Sequence, residues 1–403
     1  MKILVINGDC LTTNSSANLC HLSYIKGMLD NGYEVDLISA GTDDKNTDNS
    51  MSIPEGVNSY TYNATSLYEK GSHTIKNNTA NKNVSSSKTG SKSLKSKIFA
   101  FIKSIIRSFY GIYGIYKPFI KCAVKFKSDK KYDYVISISS PASSHYIAYK
   151  LIKKGNIKTN KWIQIWEDPW YGDIYGGHHT KKYFNAEKKL LHYSDKICYV
   201  SPLTLENQKY FFPDVAHKMY WQPLPSYYKS EIYTDTSDEF RFGYFGDYVP
   251  SARDLKPFYE AAIKSNIDVN ICGKPHTLFE PTENIHIYPR LTLDKLKPIE
   301  VSTNVLVFLC NRSGGQIPGK IYQYSATNKY ILFILDGTNE EKQILKDYFS
   351  KFNRYVFCDN TVEDICIAIN DIQNKNFKGI DNSSLSCFEP KDILNNILQE
   401  ING

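Results

Sequence analysis

The stretch "GGQIPGKIYQY", residues 314–324, follows the apolar run "NVLVFLC" and leads into "SATNKYILFIL". It reads as a strand, a glycine-bearing loop, a helix start and a second strand. Gly314, Gly315 and Gly319 allow a ligand close to the backbone. Pro318 fixes the turn before the helix. Free N–H groups at that helix start suit a diphosphate. Lys320, in the first turn, opposes the helix dipole, so its place makes more sense with an anion above it. The plainer alternative is a surface turn with a solvated lysine.

The same grammar extends in both directions. Upstream, "FRFGYFGDY" is a strand ending in a glycine loop, and "ARDLKPFYEAAIKS" is the helix after it. "DVNICG", "IHIYP" and "RYVFC" are further strands. An earlier half opens the same way, with "KILVING", a helix carrying Leu19, Leu22, Ile25 and Leu29, a stop at Gly32 and the strand "EVDLISA". "YDYVISISS", "KWIQIWED" and "KICYVS" follow, separated by the helical stretches "SHYIAYKLIKK" and "YFNAEKKLLHYS". This alternation predicts an α/β fold with two Rossmann-like domains facing across a cleft. The expected division is an N-terminal domain over 1–222, a linker over 223–239, a C-terminal domain over 240–380, and a final helix over 381–403 that packs back on the N-terminal domain. In such sheets, ligands bind beyond the carboxyl ends of the strands, so each half offers one wall of the cleft.

At 403 residues and 41 % hydrophobic, the chain can bury two cores. The net charge of +7 is concentrated: Lys88 to Lys131 holds twelve Lys or Arg against one acid, Asp129. That favours a local anionic partner and argues against general nucleic-acid binding. Within an insertion at about 70–131, residues 70–93 are polar and of low complexity. Residues 94–127 interleave Ile98, Phe101, Ile102, Ile105, Ile106 and Phe109 with cations, a pattern suited to an anionic membrane surface. An ordinary core-facing helix is the alternative. Nine cysteines without a C-x-x-C suggest neither disulfides nor zinc and make a reducing cytoplasm the default. The start "MKILVING" reads as a strand and lacks the apolar core of a signal peptide. "GGHHT", residues 176–180, has no spaced carboxylate partner, so no metal site is expected.

The opening stretch resembles the "xPxKxYEYxxxxKPIL" signature of GT-B-fold glycosyltransferases, in particular the family-four group that builds bacterial surface polysaccharides. "VISISSPASSHYIAYKLIKK", "WIQIWEDPW", "YSDKICYVSPLTLEN" and "FGYFGDYVPSARDLKPFYEAA" resemble other segments of that group, in order. The resemblance covers residues 1–70 and 132–400. It implies a metal-independent transfer of a sugar, of the hexosyltransferase type, from a nucleotide-diphosphate sugar to a lipid-linked or polysaccharide acceptor. The enzyme would work at the inner face of the membrane, in surface-glycan or capsule synthesis, with no cofactor beyond that donor. It places Lys320 and Arg253 by the diphosphate, and Gly246, Gly315, Gln316 and Gly319 where the loops approach the donor. Arg290 falls in "YPRLTLDKL", where the base is read mainly by backbone. His145, Glu167 and Asp168 fall on the acceptor side as candidate bases.

The departures matter. Gly315 and Gln323 stand where the retaining members' E-x7-E pair would be. In such enzymes the acid in the position of Gln323 binds the donor ribose. Glutamine can accept one hydrogen bond and donate another, but neither is charge-assisted, so donor affinity could drop by about 1–2 kcal/mol. Retaining or inverting stereochemistry stays open. Two rival readings follow: a non-catalytic partner subunit of an active transferase, or a nucleotide-sugar epimerase.

Overall fold

A computed structural model describes residues 1–41, 48, 51–63, 111–172, 179–227, 229–233, 240–376 and 379–402. Two parallel sheets organise it. The first has the order β3-β2-β1-β4-β5-β6-β7, with β1 Lys2–Asn7, β2 Glu34–Ala40, β3 Val57–Tyr62, β4 Lys131–Ser139, β5 Lys158–Trp166, β6 Lys196–Tyr199 and β7 Met219–Trp221. The second has the order β10-β9-β8-β11-β12-β13, with β8 Arg241–Phe245, β9 Asp268–Cys272, β10 Ile285–Tyr288, β11 Val305–Leu309, β12 Tyr330–Leu335 and β13 Val356–Asp359.

Inner strands such as β1 and β11 are buried residue after residue, because helices cover both faces of a parallel sheet. The helices are α1 Ser16–Asp30, α2 Lys117–Ala123, α3 Ser143–Lys153, α4 Lys181–Tyr193, α5 Pro202–Phe211, α6 Lys256–Ser265, α7 Leu293–Val301, α8 Lys320–Ser325, α9 Asn339–Ser350, α10 Val362–Gln373 and α11 Pro390–Asn402. Ser15 caps α1, its side chain accepting from Asn18 N at 3.1 Å. Gly32 ends the turn after α1 with φ +73°.

The chain crosses between the sheets twice. After β7 it runs to the second sheet, where Glu231 N donates to Ala326 O at 2.7 Å and Tyr233 N to Asn328 Oδ1 at 2.7 Å. After α10 it returns, and α11 packs on α1 beside the first sheet. Ile393, Leu394 and Ile397 of α11 are fully buried in a core shared with Ile3 and Val5. Gly27 is the contact point, since a Cβ there would stand 2.6 Å from the Pro390 carbonyl carbon. The two crossings are bonded to each other: Ser226 N donates to Phe388 O at 2.8 Å, and Ser230 Oγ to Glu389 Oε1 at 2.9 Å.

Of the basic segment, residues 94–110 lie outside the described residues. The described remainder turns its apolar side inward, contrary to the membrane-facing expectation for those residues. Phe119, Ile120, Ala123 and Phe126 are buried against the edge of the first sheet, with Phe126 edge-on to Tyr60 at 4.7 Å between ring centroids. Lys121, Lys125 and Lys127 stay exposed. No described helix is long and apolar enough to cross a membrane.

Candidate active site

A cleft of about 170 Å³ lies between the carboxyl ends of the two sets of strands. Asn14, Ser16 and Leu19, at the start of α1, form the wall from the first half. The opposite wall includes Gly246, Arg253, Gly273, Arg290, Lys320 and Gln323. Six of the residues expected at a donor site are thus gathered here: Gly246, Arg253, Arg290, Gly319, Lys320 and Gln323.

Each cation is already held. Arg253 Nε donates to Asn311 Oδ1 at 2.8 Å and Nη1 to the Asp247 carbonyl at 3.2 Å. Arg290 faces Asp247 Oδ2 at 3.3 Å. Lys320 Nζ donates to Glu300 Oε1 at 3.0 Å, with the two side chains 25 % and 14 % exposed. Pre-oriented cations of this kind can bind a diphosphate without first being ordered. Helix α8 is only six residues long, so these cations, more than a helix dipole, supply the field. Gln323 is buried, and among the described residues none hydrogen-bonds its side-chain amide.

Gly315 and Gln316 are placed differently from the donor-side expectation: both turn toward the first half. The Ser201 hydroxyl donates to the Gly315 carbonyl, and a Cβ at 315 would stand 2.6 Å from Leu203 Cβ. With φ +70° as well, Gly315 serves a close approach between halves. Gln316 Nε2 donates to Asp168 Oδ1, while Ser140 Oγ donates to Asp168 Oδ2 at 3.3 Å. Asn311 Nδ2 in turn donates to the Gln316 carbonyl at 3.1 Å. A continuous set of bonds therefore runs from Arg253 through Asn311 and Gln316 to Asp168.

The three acceptor-side candidates separate by depth. Asp168 is half-buried and faces the loop of the opposite half. Glu167 is 8 % exposed, its Oε2 3.3 Å from Nε2 of the fully buried His21. His145 has no exposed surface at all. Its Nδ1 is 2.7 Å from Ser137 Oγ, and its ring lies 4.1 Å from that of Trp166. Burial holds its pKa well below the ordinary histidine value, so it is neutral. The structure thus puts His145 inside the core and off the cleft wall, because residue 145 of α3 faces the sheet.

The sign of its pH effect follows. The unfolded chain takes up a proton at residue 145 below about pH 6.5, and the folded chain does not. The stability is present above that pH and is lost as pH falls, by about 1.4 kcal/mol per unit for one proton. Urea midpoints from pH 7 to 5.5 are expected to fall more steeply for the wild type than for His145→Gln. Equal slopes would mean that His145 titrates normally.

Asp247, Asn311, Gly273, Glu300 and His21 were not singled out from sequence. Gly273 had a signal, as a glycine directly after the buried run "DVNIC". Glu300 had none, since "LDKLKPIEV" reads as an ordinary polar helix. The histidine pair of "GGHHT" is only in part within the described residues, and among those no cluster of three or more His, Cys, Asp or Glu could hold a metal ion.

No family model matches the sequence, and no curated protein matches it. Solved structures do. TarM superposes with a TM-score of 0.61 at 10 % identity, over 100 % of this chain and 99 % of that one. Sucrose-phosphate synthase from Thermosynechococcus elongatus gives 0.54 at 10 %, over 100 % and 94 %. A protein assigned as a UDP-N-acetylglucosamine 2-epimerase, from Listeria monocytogenes, gives 0.53 at 10 %, over 100 % and 95 %. These likenesses establish the fold as GT-B, two Rossmann-like sheets facing across a cleft.

Proposed function

We propose that the protein is a glycosyltransferase that moves a sugar from a nucleotide-diphosphate sugar to a glycan or lipid-linked acceptor. One observation carries this reading: the cleft gathers Arg253, Arg290 and Lys320 around two glycine loops, at the carboxyl ends of the strands of a GT-B fold. Three cations facing backbone that a ligand can approach closely suit a diphosphate leaving group. Asp168 is the least buried of the acceptor-side acids, and it is the base this reading favours. The acceptor class rests on sequence: residues 94–110, which interleave Ile98, Phe101, Ile102, Ile105, Ile106 and Phe109 with Lys95, Lys97, Lys103 and Arg107, fit an anionic membrane surface at the cytoplasmic face, where lipid-linked acceptors lie. A role in surface-glycan synthesis belongs to the same proposal and draws on the family-four resemblance.

A thermal-shift panel with UDP, GDP, dTDP, CDP and ADP tests the donor site. A ligand that binds only the folded chain stabilises it by about 2.7 kcal/mol at a hundredfold excess over Kd. One nucleotide is expected to raise the melting temperature, and Lys320→Met to weaken that binding at least tenfold. If none of the five shifts a well-folded sample, the protein is a non-catalytic partner subunit instead. Turnover of a nucleotide sugar with no acceptor present would favour an epimerase.

A further inference from the structure

The carboxylate of Glu300 was not expected beside a site for a polyanion, where a like charge costs affinity. It sits there all the same, its Oε1 3.0 Å from Lys320 Nζ. Among the described residues none bonds its Oε2. Glu300 and Gln323 also line a common recess of about 20 Å³, next to the main cleft and walled, among the described residues, only by the second half and by Tyr233 of the crossing. Lys329 fixes the end of α7 that carries Glu300, its Nζ donating to the carbonyls of Val301 at 2.9 Å and Thr303 at 2.5 Å. The acid is therefore held in place by its own helix end.

A carboxylate accepts hydrogen bonds and donates none, so it suits ligand O–H groups. In a nucleotide-diphosphate sugar, these are on the sugar and on the ribose, at opposite ends of the diphosphate. The sugar must face the first half, where Asp168 stands. The recess lies away from that half, so its acid meets the ribose. Asp247, the acid on the cleft wall itself, is occupied, since Oδ1 accepts from Lys274 N at 3.0 Å and Oδ2 faces Arg290.

We propose that Glu300, with Gln323 beside it, binds the ribose diol, and that the protein selects ribonucleotide donors over 2′-deoxyribonucleotide donors. This rests on the donor-site reading above. Lys320 then sits between two anions, the diphosphate on one side and Glu300 on the other.

The test is calorimetric titration of UDP, GDP, CDP and ADP, each beside its 2′-deoxy counterpart, into the wild type, Glu300→Gln and Glu300→Ala. Circular dichroism checks that each variant is folded. For the nucleotide that binds, the ribo form is expected to bind at least about tenfold tighter in the wild type, the worth of one charge-assisted hydrogen bond. In Glu300→Ala that ratio should fall to about threefold or less, with Glu300→Gln in between. Equal affinities in the wild type, or a ratio unchanged in the variants, overturns the proposal and leaves the donor site standing. Tighter binding of both forms in Glu300→Gln also overturns it, since Glu300 would then only neutralise Lys320. If no nucleotide binds at all, the donor-site reading itself fails.

Discussion

Gly273→Ala is expected to lower stability by more than about 3 kcal/mol and to abolish nucleotide binding in whatever remains folded. A Cβ at 273 would overlap the carbonyl oxygen of Gly246 and stand 2.6 Å from its carbon. These are backbone atoms at the adjacent ends of β8 and β9, joined where Gly246 N donates to Cys272 O at 2.9 Å. No rotamer change relieves the overlap. The strands must part, and with them the wall that carries Arg253 and Arg290. Gly246→Ala is the control: its Cβ meets nothing nearer than the Tyr244 hydroxyl at 3.5 Å, so the fold should survive while close approach of a ligand is lost. Thermal unfolding and a nucleotide titration on both variants decide the matter. An unchanged melting temperature for Gly273→Ala would refute the packing argument.

Gln316→Glu is expected to open the cleft at neutral pH and let it close again in acid. The wild-type amide donates to Asp168, and Ser201 holds the Gly315 carbonyl beside it. A carboxylate at 316 removes the donor and sets two negative charges within bonding distance. Losing a partly buried carboxylate's partner costs about 1–3 kcal/mol, and the repulsion adds to that. Two such acids can share one proton, which raises one of the two pKa values. The deficit is therefore present above that raised pKa and is recovered as pH falls through it. Small-angle scattering at pH 7.5 and 5 should show a larger radius for the variant only at the higher pH. Gln316→Ala, with no added charge, should lose stability at both. An identical scattering profile for wild type and Gln316→Glu at pH 7.5 would mean that this bond does not hold the halves together.

The strands that form the inner parts of both sheets were legible because burial on two faces leaves a run of apolar residues, as in "KILVIN" and "VLVFL". The edge strand β3, "VNSYTY", was not, since only part of it is covered and its residues are mostly polar. Three-residue β7 is too short to leave a periodic signal. The donor-side residues that share a wall of the cleft lie on loops following strands, which the strand–loop–helix pattern locates. The partners of those residues were not legible. Asp168 with Gln316, and His21 with Glu167, join positions more than a hundred residues apart, and nothing in local spacing encodes such pairs. His145 shows the reverse difficulty. A polar residue near a strand end looks available in sequence, and only the direction of α3 turns it into the core.

The paired crossings between the sheets have a mechanical consequence. Two ribbons running opposite ways and laced by the Ser226–Phe388 and Ser230–Glu389 bonds bend together as one leaf. Tilting one sheet toward the other flexes that leaf, whereas twisting shears the bonds within it. Tilting is therefore expected to open the cleft more easily than twisting, like a book on its spine. A proteolytic nick in either ribbon would leave the halves attached but turn the spine into a swivel.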